Sequence, residues 1–346
     1  LINSNEISSK HIKVFETLLV QDNGGRVKPV NTLFSEYLRK ISRKNIIVDQ
    51  SASQVILGMM NNPIIWSKVP MIKISHDKLK QFLNTKESRV PFKIFFDQEG
   101  NYVLKEEVEI AYSKKPIDRG KYEKDIITVD ERVNICFTIY NGGILRFFPL
   151  PNDSNSTWFS SANSQVFSSN DSLFVSNIMK MYFTSLNSAI NDSDWATCDS
   201  VVSYISKFQN RYGYDVMPDG YKIDLEVLYN KVNIFSNLFM FYFIIGLVFL
   251  ILLLYQIFNS NVIVEKIILI VKWFIFLGFL SQTLGLVSRW IISGHAPWSN
   301  GYESMIYIAW ATMLSGVIFS RRSYMTLAAT SIVASLLLMV AHLNWL

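Results

Sequence analysis

The sequence predicts two regions of different kinds: an α+β extracytoplasmic domain over residues 1–235, then an all-α four-helix transmembrane region over residues 238–346. Three observations predict it. Hydrophobic residues make up 50% of the chain and the mean hydropathy is +0.21, high for a soluble protein. Acidic side chains are frequent before residue 238 and almost absent after it. Apolar stretches of membrane length recur at about 238–258, 267–290, 302–319 and 324–342.

Leu238 to Phe258 is 21 residues without a charge, which at the helical rise covers roughly 32 Å, one bilayer crossing. The second stretch lies between Lys266 and Arg289, with Trp273 and Trp290 where amphipathic rings settle at the interfaces and Lys272 able to snorkel. Only Ser320, Arg321, Arg322 and Ser323 separate the third from the fourth. A tight, doubly basic turn belongs in the cytoplasm. Counting back through alternate crossings puts the 291–301 loop and the whole N-terminal domain on the opposite side, and Lys266 and Lys272 at the other inner turn agree. Arg289 opposes this orientation, one residue against four. The expected location is a bacterial inner membrane, crossed several times, with the large domain in the periplasm and lipids as neighbours.

Within residues 1–235 the periodicities are those of a mixed domain. Asn31 is placed to cap a helix whose Leu33, Phe34, Tyr37, Leu38 and Ile41 share a face, after a turn at Asp22-Asn23-Gly24-Gly25. Ser51 and Gln54 have capping-box spacing for a helix ending before Asn62-Pro63. Phe92–Phe96 and Tyr102–Leu104 flank Asp97-Gln98-Glu99-Gly100 as a β-hairpin would, and Ile144–Pro149 reads as a short strand. Val129, Val133, Cys136, Phe137 and Tyr140 repeat at helical spacing; 152–171 is Asn/Ser-rich loop; helices resume at about 172–190, 195–210 and 222–235.

Composition excludes several functions. A net charge of +5 without a basic block interleaved with aromatics argues against nucleic acid as a partner. Cys136 and Cys198 form no CxxC pair, so they build neither a zinc knuckle nor a thiol redox motif; a disulfide and two buried thiols both remain open. There is no GxSxG, HExxH or phosphate loop, and no residue is singled out as catalytic. His11 and His76 are isolated, which favours surface or capping roles. The chain starts at Leu1 and stops at Leu346 directly after an apolar stretch, which reads as a fragment.

The informative segment is Arg289-Trp290-Ile291-Ile292-Ser293-Gly294-His295-Ala296-Pro297-Trp298-Ser299-Asn300-Gly301-Tyr302-Glu303. Ser299 or Asn300 can cap the third membrane helix, and Glu303 in its first turn suits the positive end of the dipole. Capping plus an aromatic belt explains Trp290, Trp298, Asn300 and Glu303 and leaves His295 and Arg289 over. A histidine in such a loop can ligate haem iron or hydrogen-bond a propionate, and an arginine nearby can pair with the propionate. His342, in the last turn of an apolar helix, is either a second such ligand or a cation at the helix's negative end. The candidate cofactor-binding residues are therefore His295, Arg289, Trp298 and His342, with His295 and His342 as candidates for haem iron.

The same loop resembles the CcsA/CcsBA family of cytochrome c assembly proteins, the System II cytochrome c biogenesis route. The resemblance rests on Gly294, His295, Pro297, Ser299, Asn300, Tyr302 and Glu303, which match the family pattern Gly-His-x-Pro-x-Ser-Asn-x-Tyr-Glu. The blocks Phe15–Lys40 and Val129–Tyr140 also look like regions that precede this membrane core in large fused members.

Membership would imply presentation of haem b, as substrate, at the outer membrane face for thioether attachment to the CxxCH motif of apocytochrome c, alongside a CcsB-type partner or fused domain. It would make the parent a holocytochrome c synthase, or haem lyase. The family's WWD motif, with its flanking histidines, does not occur in this sequence, so the chain reads as truncated before the attachment site and inactive alone. The competing reading is a membrane-anchored extracytoplasmic receptor or scaffold. A transporter is a third reading, on Gln282, Thr283 and Ser288.

Overall fold

The computed structural model describes residues 7–345. The chain divides into two compact units, residues 1–218 and 219–346.

The first unit begins with α1 (Ser9–Phe15), whose N-terminus is capped by the Ser8 hydroxyl. Strands β1 (Leu19–Gln21) and β2 (Val27–Pro29) follow as an antiparallel pair. Their turn is held by the Asp22 carboxylate, which accepts the N–H groups of Gly24 and Arg26, and by Gly25 at φ +84°, a conformation suited to glycine. Helix α2 (Val30–Ser42) starts directly after Pro29 and has no side-chain cap, because proline already fixes the entry angle. Asn31, expected as the cap, donates instead to Glu16 Oε1 at 2.8 Å.

Strands β3 (Ile46–Ile47) and β4 (Gln50–Ser51) lead into α3 (Ala52–Asn61). The Ser51–Gln54 capping box is formed, and the helix ends before Pro63. Then come α4 (Pro63–Trp66), β5 (Pro70–Lys73), α5 (Asp77–Phe82), β6 (Arg89–Pro91), α6 (Lys105–Ser113) and α7 (Lys121–Tyr140). The unit closes with β7 (Phe148–Pro149), β8 (Trp158–Phe159), α8 (Ser169–Asp192) and α9 (Ala196–Tyr212).

The expected α+β domain is not what the chain builds. The strands pair only two by two, as four separate ladders with none longer than four residues, so no sheet forms a layer against the helices. The reason lies in the aromatic runs. Phe92–Phe95 is a 3-10 turn, and a single bridge between Phe96 and Tyr102 is what remains of the expected hairpin. Phe92 packs its ring on Phe96 at 4.9 Å and on Tyr140 of α7 at 5.0 Å, so these residues serve helix packing rather than strand pairing. Of Ile144–Pro149, only the last two residues pair. The core is assembled from helix faces around Phe15, Phe34, Phe147 and Tyr182, all fully buried, each such side chain worth roughly 1.5–3 kcal/mol.

The second unit is all helical. Helix α10 (Gly220–Val232) is separated from α11 (Ile234–Phe258) by one residue, Asn233, in the left-handed conformation at φ +47°. Helices α12 (Val262–Ser293), α13 (Gly301–Phe319) and α14 (Tyr324–Trp345) complete it. The expected region of four transmembrane helices is also corrected. Among the described residues three helices are long and apolar enough to cross a membrane: Gly220–Phe258, Gly301–Phe319 and Tyr324–His342. Helix α12 stands apart from these, with Glu265, Lys266, Lys272 and Arg289 along its length.

Small residues set the helix contacts. A Cβ on Gly316 of α13 would fall onto the Thr330 side chain of α14, and one on Gly278 of α12 would strike the rings of Phe241 and Tyr242 on α11. Backbone approach of this kind is how apolar helices associate without a hydrophobic drive between them. Inside the bundle the fully buried Tyr242 hydroxyl donates to Gln282 Oε1 at 3.0 Å.

Candidate functional site

The site is the connection between α12 and α13. Helix α12 ends at Gly294, whose φ of +74° and N–H bond to the Trp290 carbonyl at 2.9 Å turn the chain sharply out of the helix. Ser293 Oγ then donates to the His295 carbonyl at 2.9 Å. The His295 side chain is exposed, its Nδ1 3.2 Å from the Ala296 carbonyl. Pro297 is buried and Trp298 projects outward, 59% exposed.

The return into α13 is fastened by one carboxylate. Glu303 is 2% exposed. Its Oε2 accepts the Ser299 N–H at 2.9 Å and the Ser299 hydroxyl at 2.6 Å; its Oε1 accepts Arg289 Nε and Nη2, both at 2.9 Å. Its own N–H donates to Asn300 Oδ1, which makes Asn300 the N-cap. The Arg289 guanidinium lies over the Tyr302 ring, 5.1 Å from its centre. Arg289, Ser299, Asn300 and Tyr302 thus gather on Glu303, tying the last turns of α12 to the first turn of α13. Two charge-assisted contacts from arginine and two from serine satisfy a carboxylate that could not otherwise be buried.

From this staple an aromatic file runs into the bundle. Trp298 meets Tyr307 edge-on at 5.4 Å; Tyr307 stacks on Trp310 at 5.7 Å, and Trp310 stacks on Phe279 of α12 at 6.1 Å. Trp310 Nε1 donates to Thr283 Oγ1 at 2.9 Å.

The candidate residues therefore separate. Gly294, Pro297, Ser299, Asn300, Tyr302 and Glu303 build the loop, and Arg289 is engaged by Glu303. His295 and Trp298 are displayed. His342 is half-buried on α14 with its ring stacked on Phe239 of α11 at 5.7 Å. Among the described residues no group of three or more His, Cys, Asp or Glu is arranged to hold a metal ion.

Sequence reasoning missed the setting of His11. It is 1% exposed rather than on the surface; Nδ1 lies 2.6 Å from Asp199 Oδ1, Nε2 lies 2.9 Å from the Tyr182 hydroxyl, and its ring stacks on Trp195. Only the packing of α1 against α8 and α9 brings these together. His76 does cap, accepting the Lys78 N–H at the start of α5. Cys136 and Cys198 are both free and buried; burial pushes the Cys136 thiol far up and the Cys198 thiol up to about 11.

No family model matches the chain. Protein NrfI of Wolinella succinogenes is 34% identical over 333 residues, 96% of this chain. Cytochrome c biogenesis protein CcsA of Prochlorococcus marinus subsp. pastoris is 37% identical over 101 residues, 29% of each chain. These matches support the CcsA-type family. A CcsA protein of Hordeum vulgare adds 61% identity over 33 residues, 10% of each chain. This chain spans 37% of the length of Protein NrfI and smaller shares of these CcsA proteins.

Proposed function

We propose that this chain acts in cytochrome c maturation as a CcsA-type protein, holding haem as a substrate at the outer membrane face for thioether attachment to apocytochrome c. Its similarity to CcsA proteins supports the maturation role. The observation that carries the haem reading is the 294–304 loop: Glu303 fixes the backbone on both sides, and the loop's one imidazole and one indole are left facing outward. In this reading His295 meets haem iron or a propionate, Trp298 lies against the macrocycle, and His342 is the second candidate for iron. Arg289 contributes by holding the loop through Glu303. Arg321 and Arg322, in the turn between α13 and α14, support placing the 294–304 loop, at the other end of α13, outside the cytoplasm.

The test is the yield of a reporter cytochrome c in cells whose only CcsA-type protein is the full-length gene product. His295→Ala and Trp298→Ala each lower the yield at unchanged protein level; full yield from both refutes the reading. A receptor or scaffold is the second reading. Its support is a groove of about 680 Å³ between α8 and α9, lined by Asn177, Lys180, Ser185, Asp192, Asp194 and Thr197, and it predicts full yield from both variants.

A further inference from the structure

The first unit contains a set of cations that, among the described residues, make no direct ion pair. On adjacent strands Lys73 of β5 stands directly opposite Arg89 of β6. Like charges in that position repel, so the pairing is a cost the ladder carries. Two more cations converge on the same place. Arg132 of α7, only 4% exposed, donates from Nε to the Lys40 carbonyl at 3.0 Å and from Nη1 to the Lys73 carbonyl. Arg89 Nε donates to the Ser42 carbonyl at 3.0 Å, beside Arg43.

The carboxylates nearby are already committed. Asp125 accepts the N–H groups of Ser75 and His76, Glu131 pairs with Lys40, and Asp77 pairs with Lys80. Among the described residues Arg43, Lys73, Arg89 and Arg132 make no ion pair with any carboxylate.

Capping of α2 explains part of this. The carbonyls of residues 40 and 42 belong to the last turn of α2, whose negative end favours guanidinium groups. That accounts for the two Nε donors. Among the described residues it leaves the terminal nitrogens of Arg89 and one of Arg132 without a protein acceptor, and it gives no reason for Lys73 or Arg43. The electrostatics point the same way. Burial first, then the neighbouring Arg89, Lys80 and Arg132, outweighs Asp125 and lowers the Lys73 ammonium from its ordinary value, and burial with Arg43 and Arg89 close by outweighs Asp125 and Glu131 and brings Arg132 down to about 10. Like charges gathered this closely are unfavourable unless something anionic joins them.

We propose that Arg43, Lys73, Arg89 and Arg132 form a binding site for a phosphate-type oxyanion. Arginine forks and one ammonium supply the donors that a phosphoryl group's several acceptor oxygens require. The group could belong to free phosphate or to a phospholipid head, and the two are separable by experiment.

The full-length protein in detergent is titrated with inorganic phosphate at constant ionic strength, and its thermal midpoint and phosphate affinity are followed. Native protein shows saturable binding and a rise in midpoint that chloride does not reproduce. Lys73→Met and Arg43→Asn, the latter at an exposed left-handed position where asparagine is tolerated, each weaken phosphate binding roughly ten- to hundredfold. Without phosphate, Lys73→Met melts no lower than native protein because a repulsion has been removed. Soluble dihexanoyl phosphatidylglycerol displacing phosphate assigns the site to lipid heads, and failure to displace assigns it to the free ion. Equal phosphate shifts in native protein and both variants, or a shift matched by chloride, overturn the proposal.

Discussion

Replacing Glu303 by glutamine keeps the shape of the side chain and removes its charge. At full burial the carboxylate accepts two contacts from Arg289 and two from Ser299. Glutamine offers one acceptor and one donor group, so its NH2 must face either the guanidinium or the Ser299 donors, and that side is lost. Hydrogen bonds to charged groups are worth about 1.5–3 kcal/mol each, and breaking a buried ion pair from one side costs roughly 3–5 kcal/mol. Because the Arg289 side chain keeps 27% exposure, water can repair part of its loss, and the lower end, about 3 kcal/mol, is expected. The assay is thermal unfolding in detergent together with protease sensitivity of the 294–300 loop. A cycle with Arg289→Gln isolates the pair: the double variant should be much less than the sum of the singles, because each single strands the other charge. A cost below about 1 kcal/mol for Glu303→Gln, or strict additivity in the cycle, would refute the view of Glu303 as the staple of the loop.

Three further outcomes follow from the packing and charge. Asp22 is pushed up by its burial but pulled down further by the Lys28 ammonium and the N–H groups of Arg26 and Gly24, so its carboxyl sits below the ordinary carboxylate range. A depressed acid stabilises the fold above its unfolded value and loses that contribution as pH falls through the folded one. Asp22→Asn should therefore destabilise the protein at neutral pH, with the difference from native protein beginning to shrink only below about pH 4 and disappearing as pH falls through the depressed folded value in urea titrations. Gly316→Ala places a Cβ on Thr330 and should lower the thermal midpoint, with Thr330→Ala restoring part of it. Ser51→Ala removes one half of the α3 capping box and should cost about 1 kcal/mol in denaturant unfolding.

Local signals in this sequence were legible where one short stretch decides the outcome. Ser51 and Gln54 specify their box within four residues, the Val129–Tyr140 periodicity lies on α7, and Asn300 caps α13 because capping needs only its neighbours. Signals that depend on distant partners were not legible. The aromatic run at Phe92–Phe96 has the composition of a strand, and only its packing on Tyr140 shows why it curls into a turn. Asn31 has the right chemistry for a cap and lies two residues too late, because Pro29 holds the N-cap position.

The site divides in the same way. Its residues could be named from the motif, while the Arg289–Glu303 pairing, which accounts for an arginine that capping left over, required the return of α13 against α12. The Lys73–Arg89 juxtaposition likewise depends on a strand register that neither residue's neighbourhood reveals.

Haem handling by the His295 loop is tested most directly by optical titration of the purified full-length protein. Added haem should give a saturable Soret band that shifts or weakens in His295→Ala while the protein remains folded. A protein that takes up no haem, or one whose band is identical in His295→Ala, would contradict the account.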